Sequence, residues 1–176
     1  MKQRRNSDGF KSTWNEPGAA VDENAYRRQV EKWLSRRFLT AVELRERLIQ
    51  KGCQPELAEA LVEEAGEENQ RREAVIMEDH IRRGRDTRLV GRSLLLYELS
   101  KRGIPTPRVR AALDADYPGE MEYDVALKLS VRKLMAMNHL PPEVRERRLA
   151  GTLQRRGFTS EVIARLMRIG TSEYRL

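Results

Sequence analysis

The chain has one cysteine, Cys53, among 176 residues, so no intrachain disulfide can brace it and a reducing cytoplasm is its expected setting. Aromatic residues make up only 6%, which argues against a β-sandwich core and against a surface that stacks on nucleobases. Apolar runs are short, as in Leu94 to Tyr97, so no membrane span is expected. Lys2, Arg4 and Arg5 near the N-terminus have no apolar stretch behind them, unlike a secretory signal. The histidines, His80 and His139, are far apart, and neither has the spacing to another His or Cys expected of a metal pair. Glu78 and Asp79 precede His80, but adjacent helical residues point in different directions, so surface charge explains them better than a catalytic set. The glycines stand singly and build no Walker-type loop. The expectation is a protein that is not an enzyme and holds no cofactor or metal.

Charge, by contrast, is abundant. Lys and Arg number 34 against 27 Asp and Glu, a formal charge of +7 and a pI near 9.8, so an anionic partner is expected. Charged residues reach 35%, as suits a solvated, helical surface.

A repeat organises the chain. Leu44 to Gly52, Leu95 to Gly103 and Leu149 to Gly157 each read Leu, three residues, Leu, three residues, Gly. A basic residue precedes each glycine (Lys51, Arg102, Arg156) and an apolar one follows it (Cys53, Ile104, Phe158). Intervals of about 50 residues suit three helices per unit. The two leucines share one helix face. The glycine, if left-handed, ends that helix as its C′ residue, with the basic side chain at the negative end of the helix dipole. A Schellman ending then brings together Leu48 with Cys53, Leu99 with Ile104, and Leu153 with Phe158. Cys53 in that slot is expected to be a buried structural thiol rather than a nucleophile.

Residues 1–21 carry Gly9, Asn15, Pro17 and Gly18 without helical periodicity, so a mobile basic tail is expected, with Trp14 its one unusual residue. The first three-helix unit spans 22–66. Its first helix begins near Asp22 with Tyr26, Val30, Trp33 and Leu34 on one face. The second opens at Thr40, with Glu43 completing a capping box and Leu39 with Leu44 a hydrophobic staple, and stops at Gly52. Pro55 starts the third, with Leu57, Ala58, Leu61 and Val62 apolar and Gly66 as its end.

The second unit spans 67–116. A helix over about Glu67 to Arg83 directs Ala74, Met77 and Ile81 inward, and Gly84 with the basic linker Arg85 to Arg88 follows. Leu94, Leu95, Leu96 and Leu99 make the helix from about Gly91 to Arg102 the most apolar, as a central location would require. Thr106 and Pro107 read as N-cap and first residue of a helix through Val109, Ala112 and Leu113. The third unit spans 117–176. Its first helix carries Tyr123, Ala126, Leu127, Leu134 and Met137 and ends at Asn138 and His139. Pro142 starts a second that runs to Gly157, and Thr159 caps a third with Val162, Ile163, Leu166 and Met167, closed by Gly170. The fold class is all-α: a tandem array of three three-helix repeats in an elongated, curved body.

The phrases LRERLIQKG (Leu44 to Gly52), GRSLLLYELSKRGI (Gly91 to Ile104) and LAGTLQRRGF (Leu149 to Phe158) resemble, in content and order, those of the RecX family of recombination regulators, over about Tyr26 to Ile169. The resemblance implies a curved array that lies in the groove of the RecA recombinase filament on single-stranded DNA, bridges protomers and suppresses ATP hydrolysis and strand exchange. One departure stands near the start of the second unit. The family usually has an acidic pair, an arginine, an aromatic and an alanine; here Glu67, Glu68, Arg72, Glu73 and Ala74 put a charge in place of the aromatic, which questions the packing there.

The candidate basic positions for partner or DNA binding fall in three groups: Arg82, Arg83, Arg85 and Arg88; Lys101, Arg102, Arg108 and Arg110; and Arg145, Arg147, Arg148, Arg155 and Arg156. Each has a plainer reading as a solvated helix face, and Lys51, Arg102 and Arg156 are already explained by the helix ends they occupy. Thr40, Gly52, Gly103, Thr106, Gly157 and Thr159 are the expected structural caps. Two functions compete: a monomeric, cytoplasmic regulator of a RecA filament, with weak direct DNA binding as an addition, and a general DNA- or RNA-binding helical module acting through phosphate contacts.

Overall fold

The computed structural model describes residues 22–36 and 39–173. The expected basic tail over 1–21, Trp14 included, lies outside the described residues. All regular structure among the described residues is helical: α1 (Glu23–Arg36), α2 (Ala41–Gln50), α3 (Pro55–Glu64), α4 (Gly66–Arg83) with a π turn (Gly84–Arg88), α5 (Arg92–Lys101), α6 (Thr106–Asp116), α7 (Gly119–Ala136), α8 (Pro142–Arg155) and α9 (Ser160–Glu173). They form three three-helix repeats, α1–α3, α4–α6 and α7–α9.

The second helix of every repeat ends in the same way. Gly52, Gly103 and Gly157 have φ of 85°, 87° and 75°. The Cys53, Ile104 and Phe158 amides donate to the carbonyls of Leu48, Leu99 and Leu153 at 3.0, 3.3 and 3.2 Å. The glycine amides donate to Ile49, Ser100 and Gln154. These paired bonds make the Schellman ending, and the leucine and the residue after the glycine are buried in all three copies.

The helix starts are less uniform. Thr40 and Glu43 form the full capping box of α2, with reciprocal bonds of 3.2 and 3.0 Å. Asp22 accepts from the Ala25 amide and caps α1. Thr106, expected as N-cap of α6, is instead its first residue; Pro105 takes the cap position, so the Thr106 hydroxyl is left to meet Ser100 Oγ at 3.2 Å. Gly66 does not end α3. It begins α4, and Ala65 alone separates the two helices. Gly170 likewise lies within α9, which runs to Glu173.

The expected inward faces need two corrections of register. In α4, Ala74 is exposed while Glu73 and Ile76 are buried, because the inward stripe runs through Asn69, Glu73, Ile76, Met77 and Ile81 and includes two polar residues. In α7, Leu127 is exposed, and Val125, Ala126 and Leu129 form the inward face. Nor is the Arg85 to Arg88 linker a break after α4. It winds on as a π turn, where Gly84 is buried at 2.5 Å from the Leu95 methyl at its Cβ position and Leu89 takes the left-handed conformation that ends the turn.

The apolar core is divided. Tyr26, Val30, Leu34, Leu39, Leu44, Leu48, Cys53, Ala58 and Leu61 form one cluster within the first repeat. A second, larger cluster runs without interruption from Ile76 on α4 to Leu166 on α9 and so belongs to the second and third repeats together. At its centre Leu95 and Leu99 are fully buried, each contributing about 1.5 to 3 kcal/mol.

Candidate interaction surface

Two joints link the repeats, and they use the same device. The glycine end of a repeat's second helix is set against the N-terminus of the second helix before it. At the first joint a Cβ on Gly103 would stand 2.4 Å from a Val42 methyl. Thr40 Oγ1 donates to the Arg102 carbonyl at 2.6 Å, and the Arg102 guanidinium donates to both oxygens of Glu43 at 2.7 and 3.0 Å. At the second joint the Gly91 and Ser93 amides donate to the carbonyls of Arg156 and Gly157 at 2.9 and 3.0 Å. There a Cβ on Gly157 would meet the Leu94 backbone nitrogen at 2.4 Å.

A buried carboxylate supports each joint. Glu73, 5% exposed, accepts from the Ala41 amide at 3.3 Å and from Arg108 at 2.5 Å, tying α4 to the start of α2 and to α6. Glu73 is thus a cross-repeat hydrogen-bond acceptor. Glu122, 1% exposed, accepts from the Arg92 amide at 2.9 Å and from the amide and hydroxyl of Thr159 at 3.1 and 3.0 Å. The expected cap Thr159 therefore directs its hydroxyl across to α7. Neither glutamate was legible as a structural residue from periodicity, since charged residues are seldom buried without such partners.

The expected basic groups separate according to what holds them. In the first, Arg82 and Arg83 both pair with Asp79 of their own helix at 2.6 and 2.8 Å. Arg85 grips Asp86 through two bonds and also donates to the Asp116 carbonyl at 3.0 Å. Arg88 holds Glu98 through two bonds of 2.8 and 2.6 Å, and His80 Nε2 lies 2.6 Å from the same carboxylate. The Arg88 guanidinium, with further help from His80, outweighs burial and keeps the Glu98 carboxyl below its ordinary range. His80 and Asp79 thus meet different partners, and no group of three His, Cys, Asp or Glu among the described residues could hold a metal.

In the second group Arg102 crosses the first joint and Arg108 holds Glu73 within its own repeat, while Lys101 and Arg110 are exposed. In the third, Arg156 donates to the carbonyls of Arg88 and Leu89, so it clamps the π turn from the neighbouring repeat. Arg147, Arg148 and Arg155 are exposed along α8 and Arg145 is half-buried. None of these four pairs with a carboxylate among the described residues.

Periodicity missed several exposed apolar residues. Leu127, Val131 and Met135 lie at successive turns of α7, exposed by 43, 45 and 71%, and Tyr97 on α5 is 62% exposed. The signal was present: from Val125 to Ala136 the helix has apolar residues on more than one face, more than a single buried stripe uses. Cys53 is buried and unbonded to another sulfur, and burial pushes its thiol pKa up, the opposite of what a nucleophile requires. No helix among the described residues is long and apolar enough to cross a membrane.

Known proteins match this arrangement. Residues 120–167, within the third repeat, fit the family model of the RecX third three-helix domain. The fold is similar to a crystal structure of RecX from Lactobacillus salivarius, with a TM-score of 0.74 at 16% identity over 84% of this chain and 95% of that one. It is also similar to a second crystal structure, of regulatory protein RecX, with a TM-score of 0.70 at 20% identity over 80% of this chain and 68% of that one. In sequence the chain is 32% identical to the regulatory protein RecX of Pseudomonas fluorescens over 81% of its length and 90% of the relative's. To that of Thermobifida fusca it is 35% identical over 86% of its length and 83% of the relative's. With its three Schellman-ended repeats and this extent of identity, the chain belongs to the RecX family of regulatory proteins.

Proposed function

We propose that this protein binds the RecA nucleoprotein filament on single-stranded DNA and lowers its ATP hydrolysis and strand exchange, acting in the cytoplasm as a monomer and without a cofactor. The observation that carries this reading is family membership extending along the whole array rather than resting on one motif. Relatives bearing the name of a regulatory protein support a role exerted through contacts and not through chemistry of its own. The surface is of a matching kind. Exposed Tyr97, Leu127, Val131 and Met135 supply apolar contact, and Arg147, Arg148 and Arg155 of α8, which hold no carboxylate among the described residues, supply charge, the mixture that protein and nucleoprotein interfaces use.

The test is ATP hydrolysis by preassembled RecA filaments on single-stranded DNA, titrated with this protein, beside binding to bare DNA across a salt series. Hydrolysis should fall at concentrations too low to coat bare DNA. Unchanged hydrolysis together with steeply salt-dependent DNA binding would favour the second reading, a general nucleic-acid module, which the same arginines of α8 also support.

A further inference from the structure

Among the described residues, the arginines at positions 27, 28, 45, 71, 72, 82, 83, 85, 88, 92, 102, 108 and 165 are engaged by the chain's own carboxylates. Helix α8 gathers the most arginines without an ion pair among the described residues, Arg145, Arg147, Arg148 and Arg155, although Glu143 and Glu146 lie on the same helix, whereas α2, α6 and α7 carry one each, Arg47, Arg110 and Arg132. At 100° per residue, Arg147, Gly151 and Arg155 follow one another at successive turns, and Arg148 stands beside them. This face is turned away from Leu149 and Leu153, which point into the core. The three arginines are exposed and span about 12 Å along the axis.

Gly151 marks the middle of the face. Gly151 has no side chain, and the Arg155 guanidinium folds back so that its Nη1 lies 3.2 Å from where a Cβ on Gly151 would be. Thr152 beside it turns its hydroxyl inward, donating to the Arg148 carbonyl at 2.8 Å. Glycine in a helix interior costs about 1 kcal/mol relative to alanine, and its backbone here has helical geometry that alanine would accept equally well. Local helix stability therefore gives no reason for it. Close approach of a partner's backbone between cationic walls does.

We propose that the face of α8 made by Arg147, Arg148, Gly151 and Arg155 is a binding site for the phosphodiester backbone of nucleic acid. Three guanidiniums that hold no carboxylate among the described residues provide planar donors for phosphate oxygens, and the glycine lets the strand lie close to the helix. The contacts are to phosphate, so the site reads no base sequence. It stands whether or not the recombinase is the partner, because its test uses bare DNA.

The experiment is fluorescence anisotropy of the full chain with labelled oligothymidine across a salt series. The R147A/R148A/R155A variant should bind about tenfold more weakly, and its plot of log affinity against log salt should be flatter by about 2, three phosphates at about 0.7 each on a single strand. R82A/R83A, whose guanidiniums are occupied by Asp79, is the comparison and should keep the parental slope. G151A should melt at a higher temperature than the parent yet bind several-fold more weakly, a divergence that a purely structural glycine would not show. Circular dichroism of each variant verifies that the helices are intact. An unchanged slope in the triple variant, an equal loss in R82A/R83A, or no binding of oligothymidine by the parent overturns the site. A G151A variant that binds as tightly as the parent overturns the role given to the glycine.

Discussion

The two joints of this array are built on one plan from different materials. Between the second and third repeats, backbone amides of α5 donate directly to the carbonyls at the end of α8, and one apolar core passes through both repeats. Between the first and second, side chains do most of the joining: Thr40 and Glu43 with Arg102, and Glu73, held by Arg108 of its own repeat, with the Ala41 amide. The first repeat keeps its apolar core to itself. A repeat array is stabilised by each unit's own folding and by its interfaces, so the difference makes repeats two and three a single cooperative unit and gives the first repeat a separable one.

The largest test of that contrast lies in the cores. Leu99→Ala and Leu48→Ala each empty a fully buried site and should cost about 2 to 5 kcal/mol. Hydrogen exchange should tell them apart. Leu99→Ala should weaken protection in both α5 and α8, whereas Leu48→Ala should weaken it in α1–α3 alone. Equal loss across all the described helices in both variants would show one cooperative unit and break the comparison.

The glycine ends give the next effect. Valine at either Gly103 or Gly157 incurs about 1 to 2 kcal/mol for the left-handed backbone, so both variants should melt at lower temperature. Gly157→Val should fall further, because its new Cβ meets the Leu94 backbone while that of Gly103 meets a Val42 side chain. A parental melting temperature for Gly103→Val would count against the cap.

The smallest effect is electrostatic. Burial would raise the Glu43 carboxyl, but hydrogen bonds from Arg102 and the Thr40 amide, with the charges of Arg102 and Arg47, outweigh it and hold the group below its ordinary value. A carboxylate depressed in the folded state contributes stability above its unfolded pKa, and that contribution disappears as pH falls through the folded one. Acidification below the ordinary glutamate range should therefore loosen the first joint, read as faster exchange in α2. A double-mutant cycle between Glu43 and Arg102 should give a coupling of about 1 kcal/mol at neutral pH and almost none in acid. A coupling that survives full protonation would remove the ion pair from the joint.

Much of this was legible in local sequence. The Leu-x3-Leu-x3-Gly phrase carries both the apolar stripe and the stop signal, so three helix ends and their buried partners followed from it. The Thr40 capping box was equally plain, since a cap is made within four residues. The faces of α4 and α7 were read less well. Apolar periodicity pointed to Ala74 and Leu127, but a buried glutamate at position 73 and a second apolar face on α7 disguised the true register.

The sites themselves show the same division. Counting basic residues offered thirteen candidates, and only the folded chain distinguished Arg102 and Arg156, which hold repeats together, and Arg108, which pairs within the second repeat, from Arg147, Arg148 and Arg155, which hold no carboxylate among the described residues. By itself the sequence determined the helices, their glycine endings, the three-fold repetition and the family, because each depends on residues within a few turns of one another. The tertiary structure decided which charges are spent inside the molecule and where the apolar core divides. Those outcomes depend on partners such as Arg102 and Glu43, or Glu122 and Thr159, that are distant along the chain and meet only when the repeats pack.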